Sequence, residues 1–160
     1  MVRTHQTAMH IGDAFKRLGH GAIELVASPL LRERNFGDLS GQTYAKAMEV
    51  MGEQIFAGIE KASPPNGEPI SAFRARAAQA WAWVQAQAAG VDECIVVSHG
   101  MLLNVLVTST FDIPKGALAK GFGNTAITVV SRQAPHVVQV LNSIAHLPQA
   151  VAEAVAGAKL

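Results

Sequence analysis

Val96-Val97-Ser98-His99-Gly100 is the segment that most narrows what this chain can become. It closes an apolar run over 94–97 and hands over to a second apolar stretch over 101–107. A β-branched run that stops at Ser-His-Gly and then turns helical reads as a strand-to-helix junction. In an open α/β sheet, ligands bind outside the carboxyl ends of the strands. The helix that follows offers backbone N–H groups and a positive dipole end, a setting suited to an anion. His99 is therefore a candidate for acid–base, nucleophilic or phosphate-binding chemistry.

The remainder of the chain bounds the setting of that junction. Its 160 residues are enough for one domain with a sizeable core. Hydrophobic residues make up 49% and charged residues only 16%, so long disordered tails are not expected. Thirteen Lys and Arg face 12 Asp and Glu with no basic block, which argues against a nucleic-acid or anionic-membrane partner. Most of the scattered arginines read as solvated helix surface. A single cysteine, Cys94, excludes disulfide frameworks and CxxC metal sites, and its place in an apolar run predicts an inert core thiol. No stretch is long enough to span a bilayer, and residues 1–12 lack a signal-peptide pattern. An intracellular, soluble, cytoplasmic protein is the expectation.

Periodicity orders the elements. Residues 4–18 read as a helix with Ala8, Ile11, Phe15 and Leu18 on one face, stopped by Gly19-His20-Gly21. A short strand is expected over 22–27, then a polar, irregular stretch over 28–42. A helix over 43–59 follows, and Ser63-Pro64-Pro65-Asn66-Gly67 is the plainest loop. The next helix, from Ile70 to about Ala89, has Ile70, Phe73, Ala77, Trp81, Val84 and Ala88 as its stripe, so Trp81 reads as packing. After the strand over 94–98 and the helix over 101–110 come two strands, 125–130 and 137–141, joined by a hairpin over 132–135. The tail, 148–160, reads as helical. The sum is a single α/β domain over 1–160, with three α/β/α layers around a mostly parallel central sheet.

Three polar clusters lie at element ends, where functional groups gather. They are residues 3–8, residues 31–41, and Ser98-His99-Gly100, with Asn124 before a strand as a fourth point. In this order they resemble the histidine phosphatase superfamily, the phosphoglycerate-mutase-like fold. The resemblance rests on Arg3, Gln6, Thr7 and Ala8; on Leu31, Glu33, Phe36 and Gly37; on Pro65, Gly67, Glu68, Phe73 and Arg76; and on His99 and Asn124. It implies phosphoryl transfer through a phosphohistidine, without metal or cofactor, on a small phosphorylated metabolite. It also implies that Arg3, His99, the Gly100 amide and Asn124 hold phosphate, and that Glu33 is the proton donor. Arginine forks match phosphate oxygens, and the reaction is largely positioning and charge stabilisation.

The family opens on a strand ending in Arg-His-Gly, which carries the nucleophile; this sequence contains no Arg-His-Gly. His5 and His10 fall on the first helix, and His20, His136 and His146 read as surface residues. The expectation is a chain that starts inside a longer gene, or else a shortened, non-catalytic relative that binds phosphate or regulates. A phosphoglycerate mutase is the other enzymatic reading, disfavoured because residues 41–64 leave little room for a lid. The missing strand should lie beside residues 94–98. Its absence exposes unpaired backbone, which predicts low stability or homo-oligomerisation through the gap.

Overall fold

The computed structural model describes residues 1–51, 63–118 and 121–157. The second half of the helix expected over 43–59 and the last residues of the tail lie outside the described residues. Contacts group the chain into two compact units, Met1–Leu102 and Leu103–Leu160.

The first unit opens on α1 (Val2–Arg17), whose last turn carries Lys16 and Arg17, a favourable match to the helix dipole. Gly19 at φ 84 ends it in a left-handed turn. The stripe of α1 is only half-buried at Ala8, Ile11 and Phe15, and Leu18 is exposed; the helix holds no buried residue. Two 3-10 turns, Pro29–Leu31 and Gly37–Leu39, shape the stretch that looked irregular in sequence. α2 (Tyr44–Met51) buries Ala47 and Met51 against Leu39, with Phe36 and Met48 packed alongside.

α3 (Ile70–Gln87) starts behind Pro69, which cannot donate a backbone bond and so sits comfortably at a helix entrance. Its buried line includes Phe73, Ala77, Val84 and, just beyond the end, Ala88, as the periodicity predicts; Trp81 is half-buried. Ala80 joins them. So does Arg76, a charge on an apolar stripe. Arg34 is likewise buried at 1% exposure, so these two arginines depart from the expected solvated surface. α4 (Gly100–Thr110) begins at the Ser98-His99-Gly100 junction as expected.

In the second unit, β1 (Ile127–Val130) and β2 (Val138–Ser143) form the expected antiparallel hairpin, pairing Ile127 with Ser143 and Val130 with Val138. His136, expected at the surface, is half-buried, edge-on to Phe111 at 5.8 Å between ring centres. Asn142 bridges the glycine-rich connection by accepting from the Gly123 N–H at 2.9 Å and donating to the Gly121 carbonyl at 3.1 Å. α5 (Gln149–Gly157) completes the unit.

The α/β character stands, but the parallel sheet is not formed among the described residues, where β1 and β2 make the one ladder. Residues 22–27 and 93–97 carry no backbone hydrogen bond among the described residues. Strand propensity needs a neighbour to become a strand, and neither segment pairs with one among the described residues. For the same reason Cys94 is exposed and not the core thiol expected of a buried strand.

Loops 35–38 and 64–68 are laced together. The Asp38 N–H donates to the Pro65 carbonyl at 3.0 Å, and the Glu68 N–H to the Asn35 carbonyl at 2.8 Å. Gly37 sits at φ +53 where this contact is closest, and a side chain there would overlap the Pro65 carbonyl oxygen. Gly37→Ala is expected to cost about 2–4 kcal/mol, from strain plus overpacking, read as a lowered urea midpoint.

Candidate functional site

The site grows from one buried cation. Arg76 donates through Nε and Nη2 to the two Glu68 carboxylate oxygens, both at 2.7 Å. Its Nη1 donates to the carbonyls of Leu30 and Arg32, each at 2.8 Å, and Nη2 also reaches the Glu33 carbonyl at 3.3 Å. Both side chains are about nine-tenths buried, at 8% and 10% exposure. The guanidinium bond holds the Glu68 carboxyl below the usual carboxylate range. Arg34 donates from Nε to the Glu68 carbonyl at 3.0 Å and lies over the Phe36 and Phe73 rings. Arg32 adds a longer ion pair to Glu68 at 3.6 Å from an exposed position, where such pairs contribute little.

The loop so gripped carries Glu33. Its Oε1 accepts from the Arg34 N–H at 2.9 Å and the Leu102 N–H at 3.2 Å, and its Oε2 from the Met101 N–H at 3.1 Å. Two amides of the α4 entrance, which the sequence offered to an incoming anion, are thus already bonded to a resident carboxylate. An acidic group there also complements the helix dipole. Ser98 ties the junction to the same loop, its hydroxyl donating to the Leu31 carbonyl at 2.8 Å.

His99 is 5% exposed. Arg3, from the first turn of α1, brings Nη2 within 3.1 Å of His99 Nδ1. A guanidinium can only donate, so Nδ1 accepts and the neutral ring carries its proton on Nε2. That Nε2 is buried and has no hydrogen-bond partner among the described residues. An unmet buried donor costs about 1–3 kcal/mol and is a place for a ligand oxygen. Burial holds the His99 pKa below the ordinary histidine value, against an opposing pull from Glu33 and with a smaller push in the same direction from Arg3.

Arg3, Glu33, His99 and Gly100 therefore come together within the first unit. Asn124 lies in the second unit, exposed, in the turn before β1. The buried roles of Arg34 and Arg76 were missed by the charge argument. A signal was present: Arg76 follows Phe73 by one helical turn, on the apolar stripe.

The sequence pattern of the histidine phosphatase superfamily (branch 1) matches residues 1–143, and the chain belongs to that superfamily. A 2,3-bisphosphoglycerate-dependent phosphoglycerate mutase of Bartonella henselae is 30% identical over 112 residues, covering 66% of this chain and 52% of the relative. The corresponding mutase of Brucella ovis is 27% identical over 137 residues, 81% of this chain and 64% of the relative. The chain thus spans about half to two thirds of the length of these relatives. Among solved structures, a mycobacterial glucosyl-3-phosphoglycerate phosphatase in complex with inorganic phosphate superposes with TM-score 0.69 at 26% identity, over 91% of this chain and 75% of that one. A structure described as mycobacterial hydrolase 2 shares the fold, with TM-score 0.67 and 24% identity over 99% of this chain and 74% of that one.

Two outcomes follow for stability. Arg76→Ala strands the Glu68 carboxylate in a buried place and is expected to cost about 3–5 kcal/mol in urea unfolding. Arg76→Lys keeps the charge but not the fork, and should recover less than half of that loss. For pH, a histidine with a depressed folded pKa makes the unfolded state bind the proton more readily. Its contribution is present above about pH 6.5 and is lost as pH falls towards the folded value. The urea midpoint should therefore drop between about pH 7.5 and 5.5, and drop less in His99→Phe.

Proposed function

We propose that this chain carries the phosphate-holding and proton-donating side of a phosphomonoester hydrolase site, acting on a small phosphorylated metabolite through a phosphohistidine. Arg3 and His99 take the non-bridging oxygens, the Gly100 amide adds to them, and Glu33 protonates the leaving oxygen. In the reaction an imidazole nitrogen attacks phosphorus, the ester P–O bond breaks, and water then releases phosphate from the histidine. Asn124 joins this set on family resemblance, as do the mostly parallel, three-layer arrangement and a cytoplasmic location.

The observation that carries the reading is the Arg3–His99 pair, with its buried Nε2–H unpartnered among the described residues. The same geometry makes His99 a supporting donor and not the attacking group, because the protonated nitrogen has no free lone pair. His5 and His10 belong to α1, His20 follows it, and His136 and His146 belong to the second unit. None stands at the end of an extended segment as the family's nucleophile does. On this reading residues 1–160 by themselves bind phosphate and turn it over little. The phosphoglycerate mutases among its relatives favour a second reading, a mutase, on the same phosphate-holding residues.

Phosphorus NMR or calorimetry with inorganic phosphate tests the reading. Binding is expected in the wild type and is expected to weaken by at least about tenfold in His99→Ala and in Arg3→Ala, the loss of one charge-assisted or buried hydrogen bond. Hydrolysis of p-nitrophenyl phosphate should stay near background in all three. Equal phosphate affinity in the variants would sink the proposal. Turnover abolished by His99→Ala would make His99 the nucleophile and overturn its supporting role.

A further inference from the structure

Loop 64–68 carries a chemically reactive pair that the phosphate reading leaves unused. Asn66 is exposed and is followed by Gly67, which has no side chain to shield its backbone nitrogen. In such a pair the Gly67 nitrogen can attack the Asn66 side-chain carbonyl carbon, Cγ. A new N–Cγ bond closes a five-membered succinimide, the Cγ–Nδ2 bond breaks, and ammonia departs with the proton given up by the Gly67 nitrogen. Water then opens the ring to aspartate or isoaspartate. The balance needs water and nothing else.

The fold both demands this pair and engages its reacting groups. Asn66 sits at φ +56, a conformation suited to Asn or Gly, and a side chain at position 67 would meet Pro64 at 2.9 Å and the Asn35 carbonyl oxygen at 3.0 Å. The Gly67 N–H, the nucleophile, donates to the Pro64 carbonyl at 2.9 Å. The Asn66 Nδ2, the leaving group, donates to both carboxylate oxygens of Asp38, at 3.1 and 3.2 Å. On either side of the pair the backbone is tied to the facing loop, through the Pro65 carbonyl and the Glu68 N–H.

Asp38 opposes the reaction in two ways. Taking both amide protons fixes the side chain, so that Cγ cannot swing onto the Gly67 nitrogen. Its charge also disfavours loss of the Gly67 proton and the oxyanion that forms on Cγ, since one anion raises the cost of another beside it. We propose that Asn66-Gly67 is a deamidation site that Asp38 holds closed, and that it reacts when the lace between loops 35–38 and 64–68 is released. The product cannot re-form that lace. Its new carboxylate faces Asp38 with repulsion where two hydrogen bonds stood, and an isoaspartate lengthens the turn by one backbone carbon. Arg3, Glu33 and His99 take no part.

The test ages the chain of residues 1–160 in mildly alkaline buffer beside a blocked peptide of residues 63–69. Residue 66 is followed by proteolysis with mass spectrometry and by enzymatic methylation of isoaspartate. The folded chain is expected to convert at least about tenfold more slowly than the peptide, because hydrogen bonds must open first. Asp38→Ala should speed conversion of the folded chain by about fivefold or more, with the hydrogen exchange of α3 amides unchanged. Asp38→Asn keeps the shape and one acceptor but loses the charge, and should also convert faster than the wild type; it carries the test should Asp38→Ala unfold. Asn66→Asp, the direct product, should lower the urea midpoint, and adding Asp38→Asn should restore part of the loss. The proposal is overturned if the folded chain converts as fast as the peptide, or if neither Asp38 variant is faster than the wild type. An unchanged midpoint in Asn66→Asp overturns the unlacing. Every readout is made without phosphate, so it is independent of the result for Arg3 and His99.

Discussion

The Arg76 guanidinium is the interaction on which the site rests. It is buried, so its charge must be met, and Glu68 meets it with both oxygens. The remaining donor capacity goes to the carbonyls of Leu30, Arg32 and Glu33. A planar fork satisfies five acceptors at once in a fixed geometry, which an ammonium on a flexible stem cannot do. The loop from Leu30 to Glu33 is thereby tied to α3. From there the order propagates, because Glu33 holds the entrance of α4 and Ser98 holds Leu31.

How legible this was in sequence varies with the kind of interaction. Helix faces and the hairpin were readable because their signals are local: the Phe73–Ala77–Val84 spacing, and the valine runs either side of residues 132–135. The junction at Ser98-His99-Gly100 and the proximity of Arg3, Glu33 and His99 came through family motifs, since residues ninety apart carry no mutual spacing rule. The parallel sheet was not legible. The residues of 22–27 and 93–97 favour an extended backbone, but pairing belongs to two segments at once, and neither sequence reveals whether a neighbour is there. Buried arginines defeat an argument from charge for a similar reason. Net charge counts cations, and only the fold tells which of them is enclosed.

The Arg3–His99 contact also separates two roles that a lone histidine confuses. A histidine at a strand end can attack, accept or donate. Arg3 removes the choice by occupying Nδ1, and burial favours the neutral ring. His99 is left with one N–H to give. The chain belongs to the histidine phosphatase superfamily and spans only part of its mutase relatives.

The Glu33 side chain also has a mechanical consequence. Its two oxygens accept from the Arg34 amide on one side and, on the other, from the Met101 and Leu102 amides, 68 and 69 residues further along the chain. One short side chain is thus the stitch between the loop and the helix entrance, and its removal would cut both at once, freeing three amides and letting the loop and the start of α4 part company.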